Sequence, residues 1–264
     1  MEVIIQKDKD AATVLAARII AEELHKNPSL VLGLATGRTM ELLYAYLVKQ
    51  HEEAGLDFSL CRTYNLDEYV GLPCNSPFSY CSYMRKHLFD KVNIDLRNTH
   101  LPNGMAPDLD NEGARYERLI LKDGGIDLQL LGIGRAGHIG FNEPLSALRS
   151  HTRVKSLTPE TMAQNAPLFD KPEDMPRRAI TMGVGTVLNS KRCLMLVTGE
   201  EKAVVLAKAV EGPITAMITA SALQLHPRCT VICDEDAAQK LEGKDYYYWI
   251  FNNEPEWEKF RHTV

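Results

Sequence analysis

Short apolar runs alternate along this chain with stretches of helical periodicity, and that alternation constrains the fold more than any other feature. Val3-Ile4-Ile5, Ser29 to Ala35, Cys61 to Asn65, Asp127 to Gly132, Arg192 to Val197 and Thr230 to Cys233 read as buried strands. Between them, Ala11 to His25, Met40 to His51, Phe78 to Asp90, Glu112 to Leu121, Thr158 to Ala166 and Glu201 to Val210 read as helices. In the first of these, Ala12, Val14, Leu15, Ala17, Ile19, Ile20 and Leu24 recur at helical spacing. Ile180-Thr181-Met182 begins a turn into a short helix near Thr186. Strand and helix in alternation imply a doubly wound, largely parallel sheet with helices on both faces, a Rossmann-like α/β fold. A chain of 264 residues suits one such domain. Residues 1–241 are expected to form it. The stretch 242–264 changes character, with Tyr246, Tyr247, Tyr248, Trp249 and Phe251 clustered in it, and is expected to pack on the body or on a partner subunit. Leu101 to Asp110 reads as a surface loop.

Composition narrows the function classes. Charged residues make up 25% of the chain and the hydrophobic set 45%, ordinary for a globular protein. The net charge of −5 argues against nonspecific nucleic-acid binding, which needs a basic footprint. No apolar run reaches the roughly 18–20 residues of a membrane span, and Met1 to Asp10 lacks a signal-peptide core. Cys61, Cys74, Cys81, Cys193, Cys229 and Cys233 show no CxxC spacing. All six are expected as reduced thiols in a cytoplasmic protein, and no zinc site or other metal site is expected.

Four stretches could carry chemistry. Thr36-Gly37-Arg38-Thr39 follows a strand and opens a helix. Free N–H groups, hydroxyls and a guanidinium make it a phosphate cradle without the Walker lysine, or a plain strand–helix turn with a threonine cap. Val197-Thr198-Gly199-Glu200-Glu201-Lys202 repeats the geometry. A lysine in a first helical turn opposes the helix dipole, which an anionic ligand would justify and a solvated surface side chain would tolerate. Asp67-Glu68 sits just past a strand, as a turn acid or as a carboxylate that moves a proton between carbons. Gly132-x-Gly134-x-x-Gly137 matches the dinucleotide fingerprint literally, but it runs into His138-Ile139-Gly140-Phe141-Asn142-Glu143-Pro144 instead of a helix. Its glycines are read as bringing backbone close to a ligand and aiming His138 at it, with Glu143 orienting the imidazole.

Taken together, these residues resemble the glucosamine-6-phosphate deaminase family, from about Val3 to about Asp236. The matching motifs are Leu32-Gly33-Leu34-Ala35-Thr36-Gly37, Asn65-Leu66-Asp67-Glu68-Tyr69-Val70-Gly71-Leu72-Pro73 and Gly137-His138-Ile139-Gly140-Phe141-Asn142-Glu143-Pro144. Ser150-His151-Thr152-Arg153-Val154-Lys155, Ala179 to Thr186 and Ala220 to His226 also match. The resemblance implies that His138, supported by Glu143, opens the sugar ring and that Asp67 carries a proton from C2 to C1. It implies a phosphate held by the loop at Thr36-Gly37 and by Lys202, and no metal or organic cofactor. It further implies a small amino-sugar phosphate as partner and a homo-oligomer, hexameric in many bacterial members. Arg153 and Lys155, near Ser146, match the family's allosteric phosphate site.

Three positions depart from the family pattern. Arg38 stands where a second glycine is usual, Ala136 where an Asp or Asn orients the histidine, and Pro167 where a phosphate-binding arginine is found. Arg38 is therefore expected to replace the missing charge from another direction. These changes keep a second reading open, a regulatory sugar-phosphate binder without turnover. A galactosamine-phosphate deaminase and a lactonase that uses His138 to activate water are further readings, and a nicotinamide dehydrogenase is the most distant.

Overall fold

The apolar runs become strands because each is buried on both faces. In the computed structural model, which describes residues 1–261, the strands are β1 (Glu2–Gln6), β2 (Val31–Leu34), β3 (Arg62–Asn65), β4 (Asp67–Tyr69), β5 (Thr99–His100), β6 (Leu128–Leu131), β7 (Arg153–Ser156), β8 (Arg178–Thr181), β9 (Cys193–Val197) and β10 (Cys229–Asp234). The helices are α1 (Lys9–Lys26), α2 (Arg38–Ala54), α3 (Tyr80–His87), α4 (Leu109–Lys122), α5 (Pro159–Asn165), α6 (Val184–Leu188), α7 (Ala203–Val210), α8 (Lys244–Asn253) and α9 (Glu258–Arg261). Every residue of β2, β6, β9 and β10 is buried, so these strands show no polar alternation, as expected where helices cover both faces. Local chemistry sets the helix ends. The Asp8 carboxylate accepts the Ala11 N–H at 2.7 Å to start α1, and Gly55 at φ 69° stops α2.

Among the described residues the main sheet has seven parallel strands in the order β1-β10-β9-β6-β2-β3-β5. The chain runs outward one way through β2, β3 and β5, then returns to β6 and runs outward the other way. The order reverses between β2 and β6, and open parallel sheets bind ligands beside the carboxyl ends at such a point.

A second sheet of three antiparallel strands, β4-β8-β7, has no counterpart in the sequence reading. The chain leaves β3 at Asn65, passes Leu66 and enters β4 at Asp67. Asp67-Glu68-Tyr69 carries no apolar alternation, so the strand reads as a turn in sequence. A small apolar cluster of Tyr69, Phe141, Leu157, Phe169, Met175 and Ala179 packs around it.

The cysteine expectation needs correction at two positions. Cys61, Cys193, Cys229 and Cys233 are buried free thiols, but Cys74 and Cys81 form a disulfide. The loop after β4 doubles back against the start of α3, where the Ser79 and Ser82 hydroxyls donate to the Cys74 carbonyl at 3.0 and 2.7 Å. That places the two Cα atoms 5.1 Å apart, within bonding reach. Among the described residues no group of three His, Cys, Asp or Glu side chains could hold a metal ion, and no helix is long and apolar enough to cross a membrane.

The aromatic segment packs on the body. Trp257 is 1% exposed and lies against Phe251 and Phe260. Arg18 of α1 donates to the Lys259 and Phe260 carbonyls at 2.9 and 3.3 Å. His262, Thr263 and Val264 of that stretch lie outside the described residues. Trp257→Ala should cost about 3–5 kcal/mol of stability, read by urea unfolding. A change within about 0.5 kcal/mol, the surface value, would show that this packing contributes nothing.

Candidate active site

Four strand ends converge at the switch point. β2 runs through Ala35 into Thr36 and Gly37, where φ is 113°, a value that favours glycine. α2 then starts at Arg38, and no side chain caps its first turn, so those N–H groups are left for an anion. Gly37 takes the left-handed backbone, and Arg38 follows with ordinary helical geometry, so the arginine does not strain the loop. A tyrosine of α3 holds the loop: the Tyr83 hydroxyl donates to the Gly37 carbonyl at 2.8 Å.

β9 ends in a second glycine turn. Gly199, at φ 96°, donates its N–H to both Asp234 carboxylate oxygens at 3.0 Å. Lys202 closes the turn, and its Nζ donates to the Ile133 carbonyl at the end of β6, 2.8 Å away. Burial lowers the Lys202 pKa, Glu201 opposes that, and Arg135 adds to it. A half-buried ammonium with a neutral carbonyl partner and a second cation close by is poised for an anion.

The glycines after β6 have a local explanation. The Gly137 N–H donates to the Gly134 carbonyl at 2.9 Å, and the Gly134 N–H to the His138 carbonyl at 2.9 Å, which folds the turn tightly. A Cβ on Gly134 would lie 2.0 Å from His138 Nε2. The pattern seats the histidine ring on bare backbone. His138 Nδ1 lies 3.2 Å from Glu143 Oε2, and the other Glu143 oxygen accepts the Thr158 N–H at 3.1 Å. Burial pushes the Glu143 carboxyl up, but His138, Thr161 and the Thr158 N–H outweigh it and bring the pKa down to about 2. An ionised Glu143 favours the proton on Nδ1 and leaves Nε2 for proton exchange.

Asp67 lies on β4 opposite Thr181 of β8. It is 6% exposed. Burial, then the charge of Glu68, raises its pKa to about 8, against the Phe141 N–H and the Thr181 hydroxyl, which lower it. Gly140, at φ 54°, makes room for this contact. A Cβ there would come within 2.9 Å of Thr181 Oγ1 and 3.2 Å of Asp67 Oδ2. Glu68 is treated differently. Its oxygens accept the N–H groups of Tyr69, Tyr80 and Cys81 at 2.8, 3.0 and 2.9 Å.

The structure thus brings Asp67, His138 and Glu143 around one loop, from His138 to Glu143, and links Lys202 to that loop through Ile133. Thr36, Gly37 and Thr39 form the facing strand end. Arg38 is exposed, and among the described residues its side chain makes no ion pair or hydrogen bond. Ala136 offers no polar group, and Pro167 is exposed in a short turn. Ser146 is buried, and its hydroxyl has no hydrogen-bond partner among the described residues. Arg153 donates to Asn142 Oδ1 at 2.8 Å, and Lys155 lies two residues further along β7. Sequence reading missed Arg135, Thr181 and Tyr80. Arg135 was hidden inside a glycine pattern, and the other two act only through tertiary contacts.

Groups that could exchange a proton and groups that could hold an anion thus gather at the switch point of one parallel sheet. Residues 7–231 match the family model described as glucosamine-6-phosphate isomerases/6-phosphogluconolactonase, and the chain belongs to that family. The glucosamine-6-phosphate deaminase of Hahella chejuensis is 48% identical over 250 residues, 95% of each chain. A solved monomeric glucosamine-6-phosphate deaminase superposes with a TM-score of 0.89 at 42% identity, covering 91% of this chain and 100% of that one. A 6-phosphogluconolactonase from Trypanosoma cruzi shares the fold at a TM-score of 0.73 and 20% identity, covering 91% of this chain and 97% of that one.

The two carboxyls give opposite pH dependences of stability. The Asp67 pKa rises from 3.8 to about 8, so its contribution is full below pH 3.8 and is lost as pH climbs toward about 8. The Glu143 pKa falls from 4.5 to about 2, so its contribution is present above pH 4.5 and lost as pH drops toward about 2. Asp67→Asn should flatten the decline in melting temperature across the upper window. An unchanged decline would place that proton on another group.

Proposed function

We propose that this chain catalyses the isomerising deamination of glucosamine 6-phosphate to fructose 6-phosphate and ammonia. The observation that carries the reading is the buried Asp67 carboxyl, with a pKa near 8, beside the loop that carries the His138–Glu143 pair. A base that takes a proton from carbon needs this basicity near neutral pH. In the proposed sequence, His138 delivers a proton to the ring oxygen and opens the sugar. Asp67 then removes the C2 proton and returns it to C1, converting the amino aldose to a ketose imine. Water adds at C2 and ammonia departs. Glu143 keeps the imidazole oriented throughout.

In this reading the phosphate binds to Thr36, Gly37, Arg38, Thr39 and Lys202. The charge absent at Pro167 is supplied by Arg135, whose field already acts on Lys202. Ala136 cannot orient the histidine, and loss of one acid/base helper typically costs about 10²–10⁴-fold in rate. That is the one feature favouring a binder without turnover. The proposal includes a cytoplasmic location and a homo-oligomer with an effector site at Ser146, Arg153 and Lys155. The solved relative's own description as monomeric makes oligomeric state a quantity to measure by sedimentation.

Ammonia release from glucosamine 6-phosphate, absent in Asp67→Asn, would establish the reaction and its base. Tight binding of the sugar phosphate without release would favour the binder. Arg135→Ala should raise KM by about tenfold, the weight of one charge-assisted contact, with kcat little changed. Arg38→Ala should raise it less, because Arg135, not Arg38, is the cation whose field acts on Lys202. The reverse ranking would return the role to Arg38.

A further inference from the structure

The Cys74–Cys81 disulfide lies outside the chemistry described so far, yet it is fastened to the start of α3, which touches both halves of the site. We propose that this pair is a redox modification site, opened by a dithiol reductant, and that opening it loosens the phosphate loop and the base together.

Two sets of contacts tie the closed segment and the helix it runs into to the site. The Tyr80 and Cys81 N–H groups bond Glu68, the residue after Asp67, at 3.0 and 2.9 Å. Two residues past Cys81, the Tyr83 hydroxyl reaches the Gly37 carbonyl at 2.8 Å. Cys81 therefore sits between the anchor beside the base and the tyrosine that holds the phosphate loop. With the bond intact, the seven-residue separation fixes the first turn of α3 against the Cys74 loop.

The site is built for exchange. Cys74 is exposed and shares a surface depression with Arg85, Lys86 and Asp90, the last paired with Arg85 at 2.9 Å. Cys81 is the second residue of α3, where the helix dipole stabilises a leaving thiolate. The four other cysteines are buried, so a small reductant meets only this pair. The thiolate of the dithiol attacks Cys74 Sγ, the Cys74–Cys81 bond breaks, and its electron pair leaves on Cys81 Sγ, which takes up a proton. The second thiolate of the reductant then attacks the mixed disulfide and releases Cys74 as a thiolate, which is protonated in turn. Two electrons pass to the protein, and the reductant leaves as its own disulfide. Pairs that open in this way inside cells serve as redox sensors more often than as structural staples.

The effect on substrate binding rests on the deaminase reading; the opening of the segment does not. The full-length protein is equilibrated with glutathione disulfide or with dithiothreitol, and the thiol state is fixed by alkylation and mass spectrometry. Hydrogen exchange at the Tyr80 and Cys81 amides should quicken about tenfold or more on reduction, as release of a short closed loop allows. KM for glucosamine 6-phosphate should rise several-fold in step. Cys74→Ser should show the reduced behaviour in both buffers. Failure of the cysteines to pair under glutathione disulfide would overturn the proposal, as would reduction that leaves exchange and KM unchanged. Redox-dependent exchange without ammonia release would support the switch and count against the deaminase alone.

Discussion

Two adjacent carboxyl groups cannot both be buried as anions unless something replaces the water each has lost. Here Glu68 receives three backbone N–H groups, from Tyr69, Tyr80 and Cys81. Asp67 lies beside only the Phe141 N–H and the Thr181 hydroxyl, which offset little of its burial and leave its pKa near 8. This division of donors decides much else. It requires the start of α3 to lie over β4, which carries Tyr83 onto the phosphate loop. The His138–Glu143 loop passes close beside it, with the Phe141 N–H donated to Thr181 Oγ1 at 3.1 Å, a close approach that the bare Gly140 permits.

The main sheet does a different job. Parallel strands point their carboxyl ends the same way, so residues far apart in sequence end up beside one another without direct pairing. Thr36, Gly132 to His138 and Gly199 to Lys202 meet because β2, β6 and β9 are neighbours, with the reversal of strand order between the first two. The Lys202 ammonium reaches from the turn after β9 to the Ile133 carbonyl just past the neighbouring β6. A lysine that looks misplaced in the first turn of a helix is thereby held by the neighbouring strand.

The parallel core was legible because each of its longer strands is a continuous apolar run, and Asp67, His138, Glu143 and Lys202 were legible because each follows such a run. The small antiparallel sheet was not. β4 and β7 are short and polar, and they are strands only because β8 pairs with both. The Cys74–Cys81 pairing escaped notice for a related reason: it depends on a loop folding back onto α3, which spacing alone does not reveal. The GxGxxG pattern was read as aiming His138, and the close approach of the Gly134 backbone to the His138 ring gives that reading a local physical reason.

The same small sheet connects the proposed base to the proposed effector residues. Thr181 faces Asp67 across one ladder and Arg153 across the other. Arg153 in turn donates to Asn142, whose amide donates to the Ile139 and Met182 carbonyls at 2.9 Å each. Asn142 is next to Glu143, and Met182 is next to Thr181. An anion drawn to Arg153 would therefore compete with a hydrogen bond that holds the histidine loop against β7, through the same Asn142 that binds Met182 at the end of β8. The Asp67 carboxyl takes part of its stabilisation from Thr181 on that strand and part from Phe141 on that loop, so its basicity depends on how the two are seated. Packing in this row is tight enough that Gly140 has no room for a methyl group. Any coupling between the two sites is therefore expected to act through hydrogen bonds made and broken along β8, since the row cannot accommodate a large displacement.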